Sequence, residues 1–150
     1  MRFWPPKYYA GLGKTRKRQR AAEIRKFSAK SWRDPAAYAG FRTDRGIKTR
    51  RSGYTAEWQR RFGDEARSLD SKAAVTGVPV RFLRESYNRG MAAWRTGHRP
   101  GATQQQWGYA RVHSLLLCGK TAIFTDSDLR REAIKTSASA RRWYRSIDCI

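Results

Sequence analysis

Only a few side chains in this chain have the chemistry of a conventional catalyst. His98 and His113 are the only histidines, and with Cys118 they supply residue types that bind zinc, but their spacings match no standard ligand set. No metal or cofactor is therefore assigned. His98 reads as part of a polar corner and His113 as a helix-surface residue. Asp126 and Asp128 stand two apart beside an expected helix start, where capping accounts for them. General acid–base work would require a second carboxylate from elsewhere in the chain. The segments GLGKT (11–15) and CGKT (118–121) resemble the end of a phosphate-cradling loop. Such a loop needs a glycine five residues before its Gly-Lys pair, so that backbone amides can wrap the phosphates. Tyr8 and Ser114 occupy those positions, and neither segment lies between a strand and a helix. No catalytic residue emerges, and the chain is not expected to be an enzyme.

Positive charge is the dominant chemistry. Among 150 residues, 33 Lys+Arg face 12 Asp+Glu, a formal charge of +21. Self-repulsion on that scale favours a polyanionic or acidic partner over life as a free monomer. Arginine predominates over lysine, which suits bidentate contact with phosphate or carboxylate. Six Trp, seven Tyr and six Phe argue against a disordered basic tail. Residues 1–61 carry a net +14 and residues 62–150 a net +7. The candidate polyanion-binding residues are Lys14, Arg16, Lys17, Arg18, Arg20, Arg25, Lys48, Arg50 and Arg51. The aromatics Trp4, Tyr8, Tyr9, Phe27 and Trp32 interleave these cations and could stack on single-stranded bases, though anchoring to a protein neighbour is the plainer role.

The elements that must position these residues read as mainly helical: a small helical domain with a helix-turn-helix-like hairpin and a long basic N-terminal arm. The arm is expected over residues 1–53, the compact domain over 54–135 and a basic tail over 136–150. Ala21, Ile24, Phe27 or Ser28, and Trp32 form a narrow stripe predicting a helix over about 15–32. Residues 34–53 read as a surface loop. Ser52 to Thr55 can cap a short helix through Trp58 to Phe62. A short helix should end at Gly77, followed by one in which Val80, Leu83, Tyr87, Met91 and Trp94 recur at helical steps. In a DNA-reading version of this hairpin, Arg81, Arg84 and Arg89 face the groove; a tight helical hairpin without that role fits the same pattern. A corner of Trp94, Gly97, Arg99, Pro100, Gly101 and Trp107 joins the next helix, which runs from Ala102 or Thr103 to Leu117, with Gln104 to Gln106 saturating backbone groups or contacting a neighbour. KTAIF then reads as extended, Thr125 or Asp126 as a cap for SDLRREA, and Trp143 and Tyr144 as packing back from the tail. Cys118 and Cys149, outside any Cys-x-x-Cys spacing, are expected to be reduced thiols in an intracellular setting. MRFWPPKYY lacks the apolar stretch of a secretory signal, and no apolar run reaches the ~20 residues of a membrane span.

KYYAGL (7–12), RGMAAWRTGHRPGATQQQWGYARVHSLLLCGKTA (89–122) and the TDSDL that follows resemble a family of small basic proteins of large double-stranded DNA viruses and tailed phages. The shared pattern is a Tyr-Tyr-x-Gly-Leu start and a Gly-x-Arg-Pro-x-x-Thr…Trp-Gly-Tyr-Ala-Arg block. It falls here on Tyr8, Tyr9, Gly11, Leu12, Gly97, Arg99, Pro100, Thr103, Trp107, Gly108, Tyr109, Ala110 and Arg111. The resemblance implies a virion setting, with host-cell residence during assembly, and supplies no catalytic residues. The expected function is a minor structural protein of a DNA virus particle that binds acidic capsid surfaces or packaged DNA without sequence preference, as part of a larger assembly. The alternative is a DNA-binding protein that compacts or regulates the viral genome through the helical hairpin.

Overall fold

The structure, a computed structural model, describes residues 4–150; the first three residues of the expected arm lie outside it. Its helices are α1 (Lys14–Ser28), α2 (Gly53–Phe62), α3 (Leu69–Thr76), α4 (Val80–Trp94), α5 (Gln104–Leu116), α6 (Lys120–Ile123), α7 (Ser127–Thr136) and α8 (Ala138–Ser146). Single 3-10 turns cover Pro6–Tyr9, Pro35–Tyr38 and Arg42–Asp44. The chain is mainly helical, and the described residues contain no strand.

These elements form two compact units. One comprises the chain through Arg50 together with Met91–Trp107; the other comprises Arg51–Gly90 and Gly108–Ile150. From Trp4 onward, the residues expected to be an arm are therefore folded. Ile24 and Phe27 of α1 cluster with Phe41, and Trp4, Tyr8 and Tyr9 pack against them. Hydrophobic burial scales with apolar area removed from water, so aromatics set among cations give this segment a core of its own. α1 stops at Ser28, before the expected end, and Trp32 lies beyond it, exposed and stacked with Arg33. The expected loop 34–53 contains two of the 3-10 turns, the first capped by the Asp34 side chain accepting from Ala36 N–H.

The second unit buries Trp58, Val78, Phe82, Leu83, Val112, Leu115, Leu116, Leu129 and Tyr144 among others. Ser68 caps α3 by accepting from Ser71 N–H, whereas Ser52 makes no side-chain cap bond at α2. α4 runs over the expected span, but Phe82, Leu83, Ser86, Gly90 and Trp94 are its buried positions. The inner face is thus turned from the hydrophobic period, and it includes Ser86, which donates to Asp126. α5 opens with a reciprocal cap: Thr103 N–H donates to Gln106 Oε1, and Gln106 N–H donates to Thr103 Oγ1. KTAIF is not extended, since α6 occupies most of it. The tail residues form α8, whose Tyr144 is fully buried and donates to the Leu115 carbonyl. Cys118 and Cys149 are not free thiols: the C-terminal turn returns to α5's end, and they form a disulfide with Cα atoms 5.7 Å apart. No helix among the described residues is long and apolar enough to cross a membrane.

Candidate polyanion interface

The unit containing α1 is organised around a buried arginine. Arg20 is fully enclosed; its Nε donates to the Tyr8 carbonyl at 3.0 Å and its Nη1 to Thr43 Oγ1 at 3.0 Å and to the Asp44 carboxylate. Its Nη2 donates to the His98 carbonyl, and the guanidinium lies 4.5 Å from the centre of the Phe41 ring. Asp44 Oδ1 also accepts from Gly101 N–H at 3.0 Å, while Oδ2 is 2.7 Å from His98 Nε2. Burial by itself would raise the Asp44 carboxyl, but His98 and Arg20 outweigh it and hold it below its ordinary value. His98 is buried, with Nδ1 2.7 Å from the Trp94 carbonyl and its ring stacked on Trp94 at 4.3 Å. Trp107 meets His98 edge-on at 6.4 Å, so a histidine sits between the two corner tryptophans.

The corner itself admits few alternatives. Gly101 has φ +86°, and an added Cβ would collide with the Ile47 carbonyl oxygen. At Gly97 the Tyr8 ring occupies the place of a side chain. Trp94 Nε1 donates to the Ala102 carbonyl at 2.9 Å, Pro100 is buried and Arg99 half-buried.

Burial sorts the candidate cations. Arg20 leaves the list of polyanion-binding residues because its donors are all turned inward. Arg16 is half-buried and donates to the Thr43 and Arg45 carbonyls. Lys14, Lys17, Arg18 and Arg25 are exposed on α1, and Lys48, Arg50 and Arg51 are exposed further along. The one acid of α1, Glu23, accepts from Arg42 N–H, Thr43 N–H and Thr43 Oγ1. Asp34 is a cap and Asp44 belongs to the buried hub. This unit's sequence holds 17 Lys+Arg and three Asp+Glu, and all three acids are engaged within it.

In the other unit the carboxylates restrain the arginines. Asp126 is fully buried; Arg111 grips it through Nε and Nη2 at 2.9 and 2.8 Å, Ser86 donates at 2.7 Å and Arg89 at 3.0 Å. It makes no cap bond at α7, contrary to the capping role expected of it. Arg89 also reaches Asp128 and Glu85, which withdraws it from the three arginines expected to face a groove. Arg81 and Arg84 are exposed, and Arg84 lies 3.6 Å from Asp70.

Two further basic groups of this unit are buried. Lys72 Nζ donates to the Ala66 carbonyl at 2.5 Å and lies 4.9 Å and 5.4 Å from the centres of the Trp58 and Tyr109 rings. Burial pushes its amine down to about 8. His113 is buried rather than surface-lying, with Thr55 Oγ1 2.9 Å from Nδ1 and Nε2 left without a partner. Burial, aided by the Lys72 charge, pushes its ring down to about 3, so the imidazole is neutral at neutral pH.

Residues 5–132 match the profile of a family of unknown function, DUF5824. The chain belongs to that family. No curated protein and no solved structure matches it. In this DUF5824 chain the residues of the Trp-Gly-Tyr-Ala-Arg block have structural occupations: Trp107 packs edge-on against Tyr8 at 6.3 Å, Tyr109 lies over Lys72, and Arg111 holds Asp126. The DUF5824 match spans both the exposed cations of α1 and the buried hub. Sequence reasoning missed Asp44, Thr43, Glu23 and Lys72, because nothing local distinguishes them from solvated side chains. The Thr103-x-x-Gln106 spacing is that of a capping box, which is the local signal for this cap.

Proposed function

We propose that this protein is a non-enzymatic structural component of a DNA virus particle, present in minor amount, that binds acidic capsid surfaces or packaged DNA through the unit containing α1. One observation carries the reading: all three carboxylates of that unit are engaged internally, leaving an unneutralised net charge of +14 with Lys14, Lys17, Arg18 and Arg25 facing outward. Charge of one sign without internal neutralisation favours association with the opposite sign. The virion setting follows from the Gly-x-Arg-Pro…Trp-Gly-Tyr-Ala-Arg resemblance. The absence of an enzymatic role is supported by the occupation of the groups best suited to catalysis, since His98, Asp44 and Asp126 are all tied into buried networks. The alternative, a groove reader using the helical hairpin, is weakened by the three carboxylates that hold Arg89.

The test is the composition of purified particles. The protein is expected in them, and a variant carrying Lys14→Glu, Lys17→Glu, Arg18→Glu and Arg25→Glu is expected to be left out while folding normally. Wild-type levels of that variant in particles, or absence of the native protein from them, would contradict the proposal.

A further inference from the structure

Building on the polyanion-binding reading, we infer that the exposed face of α1 lies along the sugar–phosphate backbone of double-stranded DNA, without reading its sequence. Lys14, Arg18 and Arg25 are spaced by four and seven residues, so they form one stripe on the helix, flanked by Lys17. At ~1.5 Å of rise per residue the stripe places cations about 6 Å and about 10 Å apart along the axis. Between Arg18 and Arg25 the same face carries only Ala21 and Ala22. It presents no aromatic and no carboxylate, because Phe27 faces the core and Glu23 is turned to Thr43.

That composition separates two kinds of partner. The centre of a protein–protein interface is depleted of lysine and carboxylates, uses arginine, and is built around aromatic anchors. Duplex DNA is bound through polar, strongly positive surfaces, with cations on phosphates supplying affinity and register but no sequence information. A bare cationic stripe over alanines has the second composition and lacks the first. The α4 surface is the poorer match, since Asp70 and Glu85 stand beside its exposed Arg81 and Arg84.

The experiment is fluorescence anisotropy of the full-length protein with labelled duplexes of two unrelated sequences, and separately with labelled poly-glutamate. Four phosphate contacts correspond to a log–log salt slope of roughly −3.6. Affinity for both duplexes is expected to fall about 100-fold between about 50 and about 200 mM salt. The triple variant K14A/R18A/R25A is expected to lower both affinities equally and flatten the slope by roughly 2.7, with an unchanged urea midpoint because the three side chains are exposed. Unaltered duplex binding by that variant, or a tenfold preference for one sequence, overturns the inference. Poly-glutamate bound more tightly than DNA through the same three residues overturns it too, yet leaves the polyanion reading standing. Binding of neither probe overturns both.

Discussion

Replacing Asp44 with alanine is expected to destabilise the protein by about 3–5 kcal/mol, the range for breaking a buried ion pair by removing one partner. The carboxylate closes three contacts at once, to Arg20, Gly101 N–H and His98 Nε2. Its loss leaves a fully buried guanidinium with only carbonyl and hydroxyl acceptors, and strands a backbone donor. Asn in its place keeps the volume but not the charge, and should recover only part of the loss. The carboxyl of Asp44 is held below its ordinary value. Its stabilising contribution is therefore complete above the unfolded-state value near ~3.9 and disappears as pH falls through the lower folded-state value. Equilibrium urea unfolding followed by tryptophan fluorescence checks both points. A loss below about 1 kcal/mol for D44A would show that the hub does not hold this unit together.

Lys72→Met is expected to act in the opposite direction, stabilising the protein at neutral pH by about 1–3 kcal/mol. The ammonium is buried against Trp58 and Tyr109, and among the described residues no carboxylate pairs with it. Methionine matches its length, and its sulfur is suited to aromatic neighbours. The Ala66 carbonyl keeps a donor, because Trp58 Nε1 reaches it at 3.0 Å. The pH dependence follows from an amine lowered from 10.5 to about 8. Between those values the unfolded chain holds the proton and the folded chain does not, so the native protein gains stability as pH rises through this window. K72M should lack that gain. Urea midpoints of both proteins at pH 7 and about pH 9.5 provide the comparison; a destabilised K72M, or the same alkaline response in both proteins, would refute the account of Lys72.

The helices were largely legible in the sequence because turn-forming residues punctuate them: α3 and α4 lie as expected on either side of Gly77 and Pro79, and α5 opens beside Gly101. Tertiary pairing was much less legible. Arg20 and Arg18 sit two residues apart in one basic run, yet one is enclosed and the other open to solvent. What separates them is the angular position on α1 relative to Ile24 and Phe27, together with Asp44, which is far away in sequence. The basic run by itself carries no trace of that distinction. As a result, an Arg20→Glu change would report on folding, whereas Arg18→Glu would report on the proposed binding. Ser86 and Lys72 escaped for a related reason: hydrophobic periodicity assigns polar residues to the surface and cannot register a partner supplied by another segment of the chain. The disulfide escaped because two cysteines separated by 31 positions carry no local signal of proximity.

In the proposed role, the excess charge left after internal pairing is neutralised by an external polyanion. The melting temperature of the full-length protein, with and without inorganic polyphosphate at low and at high salt, reports on that neutralisation. A ligand that binds the native state raises its stability by mass action. A rise of about 5 °C or more at low salt that vanishes at high salt is expected, and a much smaller rise when Lys14, Lys17, Arg18 and Arg25 are reversed in charge. An unchanged melting temperature at low salt would contradict it.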